Sequence, residues 1–410
     1  MSMGKIVRQA QKLQRVPAEQ GTYNKGTEHV MKYNNLKAAS LFSATALALA
    51  VSAATQAYEI QAGDTTANIY GFAKLDLIYD VDANLGNAVD RNRIRLDGEQ
   101  GSDGHTTMHA NQSRIGFTTS TPAGGSELKT MIEGDFYGGG GGQFRLRHAY
   151  GEWNGILAGQ TATNFGGFLG MTPTIDFNGQ PGQANVGRQP QLRYTVDGFS
   201  VALEDPSAAI GGSLATDGDD ESKTTLPHLT LRYQHSAGDF NMAASGLLRQ
   251  VEYYDAADDS DRRSTGWGVN LEASAKVAPT VTLRGAITHG DGLGSYLYIN
   301  PQAAPGYIDA NGSVETFKAT GGTAGVSVAA GPGNVNLAYG IARVDLDDAV
   351  EAGAMAETAN ERFEGVFLNY IWSPIRNVSY GIEAGYHSRK QVNGDSGDAV
   401  RLQGMVMYNF

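Results

Sequence analysis

The stretch VRLQGMVMYNF, residues 400–410, decides the fold. Val400, Leu402, Gly404, Val406, Tyr408 and Phe410 are apolar or small and share one parity, while Arg401, Gln403 and Asn409 fall on the other, with Met405 and Met407 between them. A period of two is a strand with one face in an apolar medium. The stretch ends on an aromatic residue of the apolar face and has the length of a tilted membrane strand, roughly 9–11 residues. Such a strand closes a barrel by pairing with the first.

Composition agrees. The chain has 410 residues with 54 Gly, more Tyr (19) than Phe (14), and only 18% charged residues. No segment beyond residue 58 is long and apolar enough for a membrane-spanning helix, and lipid cannot satisfy an open sheet edge, so a spanning chain of this type is a closed barrel. The absence of cysteine rules out disulfides and thiolate metal sites. A formal net charge of −12 argues against nucleic acid as a partner.

Lys32 and Lys37 precede the apolar run Ala38–Ala54, and Thr55-Gln56-Ala57 has the small residues of a cleavage site. Residues 31–57 therefore read as a secretory signal peptide, residues 1–30 as an upstream extension absent from the mature protein, and residues 58–410 as one barrel domain. The first strand is expected from Asn68 to Tyr79, with Lys74, Asp76 and Asp80 on its wet face. Strands follow at Gln112–Ser120, Glu127–Phe136, Phe144–Trp153, Ile156–Thr161, Gln191–Val196, Phe199–Glu204, His228–Gln234, Phe240–Gln250, Gly266–Val277, Val281–His289, Gly322–Ala330, Asn334–Val344, Phe363–Trp372 and Val378–Arg389. Tight turns such as Asn154-Gly155 and Asp197-Gly198 alternate with longer polar connections. The result is an all-β transmembrane antiparallel barrel of about sixteen strands, with short periplasmic turns and long outer loops. Val81–Thr107, Val251–Ser264, Gly290–Glu315 and Lys390–Asp398 are expected among the outer loops. Ala162–Arg188, after the fifth strand, is the loop expected to fold into the lumen.

Parity assigns Lys74, Arg114, Lys129, Arg145, Arg147, Arg193, Arg232, Arg249, Arg284, Arg389 and Arg401 to the lumen face. Asp76, Glu127, Glu133, Asp135, Glu204, Glu272 and Glu383 share it. Cations outnumber anions there, and the acid surplus lies mainly in the outer loops, at Asp217, Asp219, Asp220 and Glu221, at Asp255, Asp258, Asp259 and Asp261, and at Asp345, Asp347 and Asp348. A lumen of this sign favours small anionic solutes, with inward arginines facing Asp176 at the constriction. Arg145 and Arg147, two apart on one strand, are placed to grip a carboxylate each. The loop acids lack calcium-loop spacing, the Gly138–Gly142 run is no phosphate loop, and His105 with His109 makes a poor metal pair, so no cofactor or metal is expected.

Gly71-Phe72-Ala73-Lys74-Leu75-Asp76, Asn111-Gln112-Ser113-Arg114-Ile115-Gly116-Phe117, Arg145-Leu146-Arg147-His148-Ala149-Tyr150-Gly151, Ala158-Gly159-Gln160-Thr161 and Arg188-Gln189-Pro190-Gln191-Leu192-Arg193-Tyr194 resemble the DcaP-like trimeric outer-membrane porins. The resemblance implies a homotrimer of sixteen-stranded barrels in the outer membrane of a Gram-negative bacterium, passing small organic anions such as dicarboxylates and aromatic acids. Some members carry a coiled coil ahead of the barrel, whereas this chain has almost nothing between Tyr58 and Asn68. Expected partners are outer-membrane lipid and lipopolysaccharide, and the barrel-assembly machinery through Phe410. A lipase-like barrel enzyme would need a Ser–His pair near the outer rim, and no convincing pair exists. A plugged structural or adhesive barrel is the other alternative, and the loops offer little material for a binding domain.

Overall fold

The computed structural model describes residues 58–216 and 219–410. The signal peptide and upstream extension expected in residues 1–57, and Asp217, lie outside the described residues. Sixteen antiparallel strands close into a barrel. They are β1 (Thr65–Asp80), β2 (Arg114–Ala123), β3 (Ser126–Gly138), β4 (Gln143–Trp153), β5 (Ile156–Ala162), β6 (Arg188–Val196), β7 (Phe199–Glu204) and β8 (His228–Ala237), followed by β9 (Phe240–Asp255), β10 (Ser260–Ala278), β11 (Val281–Asp291), β12 (Lys318–Ala330), β13 (Gly333–Val344), β14 (Asn360–Ile375), β15 (Val378–Gln391) and β16 (Ser396–Asn409). Each strand pairs with its sequence neighbours, and β16 pairs with β1 from Asn409 opposite Phe72 to Arg401 opposite Asp80. Closure leaves no free edge for lipid to satisfy.

The two faces separate as the period of two requires. On β1, Leu75, Leu77 and Tyr79 are exposed to the outside, whereas Lys74, Asp76 and Asp80 are buried within. On β16, Leu402 and Tyr408 face out and Arg401, Gln403, Met405 and Met407 face in.

At the seam, Gly71 and Phe410 exchange both backbone hydrogen bonds, at 3.1 and 3.0 Å. Below that point Tyr58–Ala62 pairs with Ile69–Thr65 and continues the line of β16, so the lower edge of β1 is covered. Gly71 is required here, because a Cβ would run into the Arg114 carbonyl oxygen and lie 2.7 Å from the Phe410 ring. Overpacking of this kind costs about 1–3 kcal/mol. Gly71→Ala is therefore expected to lower the yield of folded barrel, read as the compact band in unheated gels, and wild-type yield would show that the seam tolerates the methyl group.

Several connections differ from expectation. The second wall element is broken in two: His105–His109 pairs with the upper half of β1 and Arg114–Ala123 with the lower half. In the gap, the Ser113 hydroxyl accepts the Lys74 N–H at 3.0 Å and donates to the Lys74 carbonyl at 3.3 Å, replacing the missing ladder bonds. The expected loop Val251–Ser264 is instead mostly paired strand, in register to Asp255 opposite Ser260. Lys390–Asp398 likewise shrinks to a turn at 392–395. In both cases polar residues continue a strand that has risen above the apolar band into water, where alternation of polarity no longer marks the pairing.

Candidate functional site

The loop between β5 and β6 crosses the interior and is fastened to the wall in succession. Glu272 on β10 accepts the Leu169 N–H at 2.9 Å, and Thr323 on β12 donates to the Gly170 carbonyl at 3.1 Å. Asn369 on β14 donates to Pro173 O at 2.9 Å, and the Glu383 carboxylate on β15 accepts the Ile175 and Asp176 N–H groups at 2.8 and 2.9 Å. Lys74 on β1 donates to Ile175 O at 3.1 Å. Interior acids that parity assigned to the lumen thus hold the loop by its backbone.

This loop does not narrow the lumen alone. Residues 292–317, expected as an ordinary outer loop, also turn inward, with Leu293, Tyr296 and Leu297 fully buried. They form a short ladder with the first loop: Gly182 N–H to Tyr298 O at 2.9 Å, Tyr298 N–H to Gln183 O at 2.8 Å and Asn185 N–H to Tyr296 O at 2.8 Å. Gly182 adopts φ +101, and a Cβ there would strike the Ile341 carbonyl, so only glycine fits between the loop and β13. The segment after β1 packs Leu85, Val89 and Ile94 inside as well, and its Val89 N–H reaches the Asp176 carboxylate at 3.1 Å.

Asp176 is consequently buried rather than open to the lumen. It accepts N–H groups from Asn178 and Gly179 at 3.0 and 3.2 Å and an Arg401 guanidinium N–H at 3.0 Å. Arg401 also grips both oxygens of Asp80, at 2.7 and 2.9 Å. Lys74 pairs with Asp76 at 2.9 Å.

The densest charge lies on β2, β3 and β4. Arg145 forms two bonds to Asp135, at 3.0 and 2.8 Å, and Arg147 bridges Glu133 (2.8 Å) and Asp135 (2.7 Å). Arg114 Nε stands 3.3 Å from Glu133, and Tyr70 donates its hydroxyl hydrogen to the same carboxylate at 2.9 Å. A bulge allows this crowding: Glu133 lies opposite His148 and Gly134 opposite Leu146, so Arg147 is the extra residue. Arg147 and His148 are then buried inside in succession. Arg145 differs from Arg147 in access. Its side chain is 40% exposed against 2% for Arg147. It also lies 5.8 Å from each of the Tyr137 and Phe177 rings, which stack on each other at 4.2 Å.

Arg188, at the start of β6, brings a fourth guanidinium into the field of these three, and its Nε has no hydrogen-bond partner among the described residues. Arg91, in the segment after β1, is buried and donates to Glu364 O at 3.0 Å and Gly179 O at 3.3 Å. Burial pulls its pKa down to about 10, opposed by the nearby Asp176, so it remains charged at neutral pH. Neither residue was among the pore-lining candidates, because both fall in stretches that read as loop. Even a strand start three residues earlier would by parity have put Arg188 on the face of Pro190 and Leu192, opposite to that of Arg193, so its inward field is set by the strand end and not by the alternation.

The other candidates are dispersed. Arg193 donates to Gln191 and to Ala162 O, Arg232 pairs with Glu272 at 2.6 Å, and Arg284 donates to Ser327 at 2.7 Å. Arg249 holds the Gly211 and Gly292 carbonyls. Arg389 stands 3.9 Å from Glu99, and Lys129 pairs with Glu127 at 3.3 Å on the short-turn side. Among the described residues no cluster of three or more His, Asp or Glu is arranged to hold a metal ion.

The DcaP outer membrane protein family model matches residues 23–410. The outer membrane channel DcaP of Acinetobacter baumannii superimposes with a TM-score of 0.74 at 27% identity, covering 85% of this chain and 99% of that one. OmpT of Vibrio cholerae (TM-score 0.52, 12% identity, 86% and 100% covered) and an anion-selective porin from Comamonas acidovorans (0.53, 14%, 84% and 100%) share the fold. No curated protein sequence matches.

Proposed function

The chain belongs to the DcaP outer membrane protein family, and from that premise we propose that its barrel is a diffusion channel favouring small organic anions, dicarboxylates and aromatic acids among them. Its place is the outer membrane of a Gram-negative bacterium, and its coarse activity is that of a porin. The observation that carries the anionic preference is the group of four arginines, Arg114, Arg145, Arg147 and Arg188, around only two carboxylates, Glu133 and Asp135. The carboxylates cannot neutralise the group, so the wall there keeps a positive field. Arg145 is the accessible member. An anion passing it meets a guanidinium whose partner Asp135 is already shared with Arg147, beside the flat Tyr137 and Phe177 rings on which an aromatic acid can lie. Lys129, Arg193, Arg232, Arg249, Arg284 and Arg389 extend the cationic wall toward both mouths.

Assembly as a homotrimer and insertion guided by Phe410 complete the reading. Reversal potentials of single channels in a salt gradient test it: the sign of anion preference is expected, and cation preference would overturn it. A second reading has its own support. Three inward segments pack on one another through Tyr296, Leu297, Val89 and Asp176, as a plugged barrel would require. Absence of conductance from correctly folded protein would favour that reading.

A further inference from the structure

The outward face of β11 to β16 carries a pattern that the channel function does not use. In cross-strand register, Thr320 lies opposite Arg343, Arg343 opposite Arg362, and Arg362 opposite Lys390. Parity puts these side chains on the outer face: Arg343 follows Leu337, Tyr339 and Ile341, Arg362 precedes Val366 and Leu368, and Lys390 follows Ile382 and Tyr386. Three cations therefore stand shoulder to shoulder in one row at the long-loop rim. The row next below holds Ile341, Glu364 and Ser388, and the one below that holds Tyr339, Val366 and Tyr386. Deeper still the face is aliphatic.

Like charges directly opposite each other destabilise a sheet unless something negative lies between them. Two carboxylates pair with two of the three cations and leave the third. Glu364 lies one row down, 3.0 Å from Arg362, and Glu361, in the bulge, takes Lys390 at 2.6 Å. Arg343, exposed and in the row with the others, has no carboxylate within ion-pair distance among the described residues. Asp398, Asp345, Lys318 and His289 are ionisable groups that border the row on the outside, His289 lying opposite Thr320 within it.

We propose that Arg343, Arg362 and Lys390 form a docking site for a phosphorylated glycolipid of the outer leaflet, with its phosphates on the cationic row and its acyl chains along the apolar rows beneath. Charge at head-group depth above tyrosines and aliphatic side chains is the order of chemistry such a lipid presents in reverse. The inference needs only the outer-membrane location and is independent of which ions the lumen favours.

The test uses the full-length purified protein and the triple variant Arg343→Gln, Arg362→Gln, Lys390→Gln, with bisphosphorylated lipid A, the same lipid with its phosphates removed, and phosphatidylglycerol as probes. Retained lipid is counted by native mass spectrometry. Wild type is expected to bind bisphosphorylated lipid A at least about tenfold more tightly than either other lipid, and the variant to lose that advantage while its conductance and its mobility in unheated gels stay unchanged. Equal binding of the phosphorylated and dephosphorylated lipids by wild type, or an undiminished advantage in the variant, would overturn the site. Equal retention of phosphatidylglycerol would overturn its assignment to a glycolipid.

Discussion

Arg145→Ala is expected to lower the anion-to-cation permeability ratio about fivefold while leaving the barrel folded. A unit charge at about 4 Å is worth roughly 1 kcal/mol in water and more near a protein wall, which corresponds to that factor in relative permeability. Folding survives because Asp135 keeps Arg147 at 2.7 Å after Arg145 is removed. Arg147→Ala should behave differently. Arg147 is buried and is the one side chain that bridges Glu133 and Asp135, so its loss leaves buried carboxylates short of a partner, at a cost of about 3–5 kcal/mol. Reversal potentials separate the two cases when read beside gel mobility: Arg145→Ala folded and less selective, Arg147→Ala poorly folded. A folded Arg145→Ala channel with an unchanged reversal potential would show that this guanidinium lies off the permeation path.

The second large effect is expected at Arg401. Its guanidinium ties together Asp80 on β1, Asp176 in the inward loop and the Gly86 carbonyl. Arg401→Met keeps much of the volume and removes the charge, leaving two buried carboxylates with no cation between them. About 3–5 kcal/mol is again the scale of the loss. The compact form should therefore melt at lower temperature on gels, and the loop tip, released from one of its anchors, should give larger and noisier single-channel currents. Unchanged thermal stability would mean that water replaces the guanidinium without cost.

Much of the wall was legible because a two-residue period has a direct physical cause, one face in lipid and one in water. Parity alone puts Arg145, Arg147 and Arg401 on the inner face, where the structure has their pairs with Asp135, Glu133 and Asp80. The limits of that reasoning appear at particular residues. The bulge beside Arg147 resets the alternation, so His148 points inward although parity sends it to the lipid. The pairing of Glu252 with Arg263 and of Tyr254 with Asp261 was invisible because both strands there stand in water. The inward turn of residues 292–317 depends on partners more than a hundred residues away, Gly182, Gln183 and Asn185, and nothing local in Tyr296 or Leu297 announces them. Asp176 shows the same limit. It was expected to face inward arginines across an open lumen; it does meet one of them, Arg401, but in a buried pair, and the rest of its environment comes from distant segments that converge on it.

The inward loop meets the wall at β10, β12, β14, β15, β16 and β1 through separate bonds, and so behaves as a spoke fixed at many points along its length rather than as a hinged flap. Opening it would require several bonds to break together, which places such motion far outside the time a small ion spends in transit. Current through the channel should accordingly rise with temperature only as steeply as the fluidity of water does, and its record should be free of the slow flicker that a moving gate imprints.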